Sequence, residues 1–257
     1  MNPSATWISI SSQSPKLQQV LRTELDELSS NTGLSLYVME AGTLHVLSGA
    51  MAALLQLERV IVVGASFWPW QEPATDVIDK LLGDWLRPYQ RELAAAALEA
   101  PMGRGVIKAP TGSGKTRILT AIIMAGRAVG IRKWVVIAPN RELLTQLLNT
   151  LHEKIGAGAE DIYPCTMREL SLRREEIVAD GVLVDEAHRV GAETHAMGIS
   201  RVRACWRIGL SATPLDRADG RNGLVIGLLG PVVGEVSRTS LKSDGFLTPG
   251  VVRQIIM

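Results

Sequence analysis

Apolar and polar positions follow one rhythm up to about residue 84 and another after it. In the first stretch, TWISIS (residues 6–11) alternates as a half-buried strand does, and SPKLQQVLRTELDELSS (14–30) has helical spacing. Ser14 is its expected N-cap and Pro15 opens the first turn. LSLYVMEAGTLHVLSG (34–49) reads as a hairpin turning at Ala41-Gly42. An apolar segment follows and ends in ASFWPWQEP, a surface connection whose Trp68 and Trp70 could stack on bases or pack on a neighbour. From Trp85 onward, short β-rich runs alternate with helical ones. GVIKA, WVVIA, DIYPC, GVLVD and WRIGL are strand candidates. RPYQRELAAAALEA, KTRILTAIIMAGRA, RELLTQLLNTLHEKI and MRELSLRREEI are helix candidates. Such alternation predicts an α/β fold, a parallel sheet sandwiched by helices, preceded by a small α+β unit. In that class ligands bind beyond the carboxyl ends of the strands. The expected division is residues 1–84 and 85–257.

Composition narrows this picture without redirecting it. With 46% hydrophobic residues the chain can bury a substantial core, and disorder is not expected. No apolar run reaches the roughly 18 residues of a membrane span, and the amino terminus lacks the pattern of a secretory signal, so a cytoplasmic protein is expected. Cys165 and Cys205 lie far apart, and none of His45, His152, His188 and His195 has a metal-type companion, which argues against structural zinc. The net charge of +1 hides an imbalance: residues 1–84 carry four Lys/Arg against nine Asp/Glu, so the basic excess lies in the second part. Any contact with nucleic acid is expected there.

The loop after GVIKA is APTGSGKT (109–116), directly followed by a helix. Gly112 and Gly114 let the backbone curl until successive N–H groups face a phosphate, and the helix start adds its positive end. Pro110, Thr111 and Ser113 complete the nest. Lys115 is placed to bridge the β- and γ-phosphates, and the Thr116 hydroxyl to hold Mg²⁺. The general phosphate-loop pattern has Gly where this chain has Ala109. The matching acid is in VLVDEAHRV: Asp185 ends a buried strand and can hold Mg²⁺ through its water shell, and Glu186 can act as general base on the attacking water.

APTGSGKT, DEAH at 185–188 and SAT at 211–213 resemble motifs I, II and III of the superfamily 2 helicases. LRPYQREL resembles the adenine-recognising Q motif, which implies nucleotide contacts from Arg87 and Gln90, the latter reading the base. IAPNRELLTQ and the segment around Thr166 resemble motifs Ia and Ib, which implies a nucleic-acid track at Pro139, Arg141, Thr166 and Arg168. The stretch running from GLSATPLDRADG through GPVVGEV to GFLTP is similar to the subgroup of phage branched-DNA helicases, type III restriction motor subunits and the eukaryotic repair helicase of the transcription machinery. That likeness covers residues 85–257. It implies the first of two RecA-like domains, using ATP and Mg²⁺ and acting on DNA rather than RNA. It also implies that His188, Ser211 and Thr213 couple the phosphate end to the strand-binding face. No segment resembles the arginine-finger motif of a second RecA-like domain, so the expectation is half of a motor, slow alone and needing that domain in cis or in trans. An arginine finger contributes roughly 10³–10⁵ in rate. Two alternatives remain: a non-catalytic binding module that retains a nucleotide site, and an unrelated P-loop kinase. The kinase leaves the Q-like, DEAH and SAT segments without a role.

Overall fold

The structure is a computed structural model that describes residues 7–10, 15–32, 35–40, 43–47, 49–50, 52–53, 73–155, 161–215 and 222–247. Ser14, the Ala41-Gly42 turn, Trp68 and Trp70 lie outside the described residues.

Six parallel strands form the central sheet: β4 (Arg104–Lys108), β5 (Trp134–Ala138), β6 (Ile162–Thr166), β8 (Gly181–Asp185), β10 (Trp206–Ser211) and β11 (Val232–Glu235). Their order across the sheet is β11-β4-β10-β8-β5-β6. The strands are apolar on both faces, as a parallel sheet covered by helices requires. Side chains divide by period two. Ile107, Val136, Leu183, Ile208 and Leu210 enter one core, and Val106, Val135, Ile137, Val182 and Val184 enter the other. On the first face lie α2 (Ala74–Leu82), α3 (Pro88–Leu98), α4 (Lys115–Ala128) and α5 (Arg141–Ile155). The second face is covered by α6 (Met167–Leu172), α7 (Glu193–Ser200) and α8 (Asn222–Leu229). The architecture is the α/β sandwich that the alternation of elements predicts, of the RecA-like kind that the resemblance implies.

The expected helix over 167–177 stops at Leu172. A capping box starts it, with Glu169 N–H donating to Thr166 Oγ1 at 3.2 Å and Thr166 N–H to Glu169 Oε2 at 2.9 Å. Arg173 then turns extended (φ −71°, ψ 135°), and its carbonyl accepts from Arg201 Nη1 at 2.9 Å. The freed chain makes a short strand, β7 (Ile177–Val178), which pairs in parallel with β9 (Val202–Arg203). Cross-strand pairing with a partner 25 residues away overrides local helix preference here.

The amino-terminal piece contains β1 (Trp7–Ile10), α1 (Pro15–Thr32), β2 (Tyr37–Glu40) and β3 (Thr43–Leu47), in an antiparallel sheet ordered β1-β3-β2. It rests on α8. A Cβ at Gly49 would lie 2.0 Å from the Ile226 carbonyl, and one at Gly227 would lie 2.4 Å from Leu47 Cδ1. Gly49 therefore permits two backbones to approach, and Gly227 leaves room for the Leu47 side chain.

Trp134 is the largest fully buried side chain, 1% exposed, and its Nε1 donates to Ile131 O at 2.9 Å. Its indole lies flat against two glycines. A Cβ at Gly126, inside α4, would meet Cζ2 at 2.6 Å, and one at Gly181 would meet Cζ3 at 2.2 Å. Gly181→Ala is thus an overpacking change and is expected to lower unfolding free energy by about 1–3 kcal/mol in urea titrations. An unchanged midpoint would mean that the indole shifts aside at no cost.

Candidate functional site

β4 and β8 point the same way with β10 between them, so the loops leaving their carboxyl ends sit at one edge of the sheet. The loop after β4 is 109–114. Ala109 N–H donates to Ser211 O at 2.9 Å, pinning the loop's start to the end of β10. Gly112 (φ +87°) and Gly114 (φ +77°) take left-handed backbone angles, and α4 begins at Lys115. Gly114 has a second reason to lack a side chain, since Gln90 Nε2 lies 2.5 Å from where its Cβ would be.

At the end of β8, Glu186 adopts φ 53°, ψ 53°, one of two non-glycine residues among those described with positive φ. This conformation costs about 1–3 kcal/mol. It is held by Glu186 N–H donating to Asp185 Oδ1 at 3.0 Å and by Arg189 N–H donating to Glu186 O at 3.0 Å. The turn aims the Glu186 carboxylate across the edge, where Oε1 accepts from Lys115 Nζ at 2.6 Å. His188 Nδ1 lies 3.4 Å from Glu186 Oε2 and 2.9 Å from Ser211 Oγ, and Thr213 N–H donates to that Oγ at 3.2 Å. A continuous polar chain thus runs from Lys115 through Glu186 and His188 to Ser211 and the backbone of Thr213.

Burial raises the Asp185 carboxyl above its ordinary range; Lys115 pulls it back and Glu186 adds to the rise. Among the described residues no group of three or more His, Cys, Asp or Glu could hold a metal alone. Mg²⁺ binds through one or two protein oxygens, waters and substrate phosphates. Asp185, Thr116 at the start of α4 and the left-handed glycine loop supply that kind of donor set.

Gln90 and Arg87 stand at the start of α3, next to the phosphate loop. Gln90 is 1% exposed. Its Oε1 accepts from Arg87 N–H at 3.0 Å, and its Nε2 donates to Ser113 O at 2.8 Å. Tyr89 Oη donates to the same carbonyl at 2.7 Å. Gln90 therefore ties α3 to the phosphate loop through Nε2, while its Oε1 closes the start of α3 itself. Arg87 Nη1 donates to Phe246 O at 3.3 Å, with its guanidinium 4.9 Å from the Phe246 ring centre. Tyr89, Phe246 and Leu247 had no assigned role in the sequence reading, although LRPYQREL and GFLTP contain them.

The residues of the expected nucleic-acid track lie at the ends of β5 and β6, along the same edge. Pro139 is half-buried, and Arg141 and Arg168 are exposed. Arg141 pairs with Glu169, which holds that carboxyl below its usual range together with the larger effect of the Thr166 N–H. Thr166 does not present its hydroxyl outward: it is 6% exposed and that oxygen caps α6.

Residues 85–178 match the family described as "Type III restriction enzyme, res subunit". The chain is 30% identical over 160 residues to a DNA 3'-5' translocase XPB2 of Sulfurisphaera tokodaii, covering 58% of this chain and 35% of that protein. It is 28% identical over 214 residues to a DNA 3'-5' helicase XPB of Kineococcus radiotolerans, covering 71% and 37%. These matches support the resemblance of this chain to the N-terminal domain of superfamily 2 helicases. A solved SWI2/SNF2 ATPase core of Sulfolobus solfataricus, in complex with dsDNA, aligns at 19% identity and a TM-score of 0.49 over 56% of this chain and 35% of that one. This chain therefore spans about a third of the length of the relatives it matches. No helix among the described residues is long and apolar enough to cross a membrane.

The native state favours the Asp185 proton more than the unfolded chain does, so this group lowers stability as pH rises through the interval above about pH 4. Asp185→Asn should be at least as stable as the parent at pH 7, with a flatter stability profile between about pH 4 and 7 in urea unfolding. A variant clearly less stable at pH 7 would assign Asp185 a structural role instead.

Proposed function

We propose that this domain binds ATP·Mg²⁺ and couples nucleotide binding and hydrolysis to remodelling of DNA. The observation that carries the proposal is the meeting of Lys115 and Glu186 at 2.6 Å, which brings the glycine loop and the acidic turn to one point. Phosphate oxygens would compete with Glu186 for the Lys115 ammonium, and the backbone N–H groups of 112–116 would line the triphosphate tail. Thr116 and Asp185 would hold Mg²⁺, whose charge offsets that of the phosphate oxygens. Glu186, released from Lys115, is the base for an attacking water, and His188 with Ser211 would carry the change to the end of β10.

DNA is the proposed polymer because relatives of this chain are named as DNA translocases and helicases. Pro139, Arg141 and Arg168 are its proposed contacts. The chain covers about a third of those relatives, which supports a second RecA-like domain, in cis or trans, as the source of the arginine finger.

Lys115→Ala removes a charge-assisted contact of about 1.5–3 kcal/mol and should weaken ATP·Mg²⁺ binding tenfold or more in calorimetry. Glu186→Gln should retain binding and lose residual hydrolysis. Equal affinity in the parent and the Lys115 variant would sink the nucleotide assignment, and fast turnover by the chain alone would remove the need for a second domain. Duplex DNA binding should weaken steeply with salt, and Arg168→Ala should reduce the log–log salt slope by about one. An unchanged slope would place the track elsewhere.

A further inference from the structure

The apolar residues of the amino-terminal piece do not form a core of their own. Leu21, Leu25, Leu36, Leu44, Val46 and Leu47 belong to the same buried cluster as Ala187 and Val190, which follow Glu186 in the 3₁₀ turn Ala187–Gly191. Helix α8 joins the two groups. Val225, Ile226, Gly227, Leu228 and Leu229 are all buried, so the helix is enclosed on every side. At about 100° per residue, Gly227 and Leu229 point to opposite sides of it.

The amino-terminal sheet stands on the Gly227 side. A Cβ at Gly227 would run into Leu47 Cδ1 and lie 3.4 Å from Leu36 Cδ2. On the other side, α8 packs against the turn at 187–191. There Leu229 Cδ1 and Ala187 Cβ come within 2.8 Å and 2.7 Å of where a Cβ of Gly209 in β10 would be. Ala187 is the residue between Glu186 and His188. α8 is thus a spacer one helix thick between the amino-terminal sheet and the backbone that carries Glu186. Close-packed interiors have low compressibility, so a shift on one side of such a helix is passed to the other. Glu186 is exposed to that shift, because its left-handed conformation (φ 53°) is held by neighbours and not by its own preference.

We propose that the amino-terminal piece positions the acidic turn: Leu47, through Gly227 and Leu229 of α8, sets where the Glu186 carboxylate stands relative to the phosphate loop. This rests on the nucleotide reading of the site and makes the amino-terminal sheet a regulator of its hydrolytic step. Leu47 and Gly227 are positioning residues that act through Ala187. A ligand or partner that shifts the sheet then changes turnover without entering the nucleotide edge.

The test separates hydrolysis from binding on the full chain. Gly227→Ala places a methyl against Leu47 and should slow single-turnover hydrolysis of ATP·Mg²⁺ about tenfold or more, since a misplacement of about 1 Å can cost about 100-fold. Affinity for ATP·Mg²⁺ in calorimetry should stay within about twofold of the parent, because the phosphate loop is untouched. Adding Leu47→Ala vacates the space the methyl needs and should restore the rate. In the unaltered chain, saturating ATP·Mg²⁺ should in turn slow hydrogen exchange at Leu47 N–H, which donates to Leu36 O at 3.0 Å, because coupling between sites is reciprocal. The proposal is overturned if Gly227→Ala hydrolyses at the parent rate or loses affinity as far as rate. It is equally overturned if the double variant, at the parent's urea midpoint, stays slow. Exchange at Leu47 that ignores bound nucleotide also overturns it, and this arm needs no variant to fold. If the unaltered chain binds no ATP·Mg²⁺, the nucleotide reading itself fails and this proposal with it.

Discussion

Lys115 and Glu186 stand 71 residues apart in sequence and reach each other only because β4 and β8 run parallel, with a single strand between them. Adjacent strands are about 4.8 Å apart, so two loops leaving strands two positions apart begin about 10 Å from one another, within reach of a lysine and a glutamate. Every other feature of the edge depends on that spacing. The left-handed turn at Glu186 brings the carboxylate forward, and the intervening strand ends in Ser211, which receives His188. An antiparallel arrangement would send the two loops to opposite ends of the sheet.

The same edge is joined from outside by elements that share no strand with it. α3 holds the phosphate loop through Gln90 and Tyr89, both on the Ser113 carbonyl. The turn after α9 (Arg238–Ser243) reaches the loop's outer side through Leu247 and reaches Arg87 through Phe246. The loop is therefore braced by two separate stretches of chain besides the end of β10, which fixes its start through Ser211 O.

Much of this was legible in the sequence, for physical reasons that differ by element. α4 and α5 begin and end where their apolar spacing and the flanking glycine or loop residues say they should, because local propensity and burial agree there. The five strand candidates were legible as short apolar runs between turn signals. The end of α6 was not, since what stops it is a carbonyl captured by Arg201 and a strand pairing with 202–203, neither of which leaves a local trace. The partners of Gln90 were equally hidden. A glutamine at the start of a helix looks the same whether its amide faces a ligand or the carbonyl of Ser113. Phe246 and Leu247 lay in plain view within GFLTP, but their contact with Arg87 and Gly112 exists only once α9 has folded back. Gly49 and Gly227 show the same limit, because nothing in either neighbourhood announces the close contact made there, with backbone at Gly49 and with the Leu47 side chain at Gly227.

The indole of Trp134, packed against Gly126 and Gly181, makes three sites on α4, β5 and β8 share one fixed volume. A methyl group at either glycine would call for a smaller residue at 134, and a smaller residue at 134 would leave a void beside both glycines. The three positions thus share one packing constraint, and one of them opens the strand that ends in Asp185.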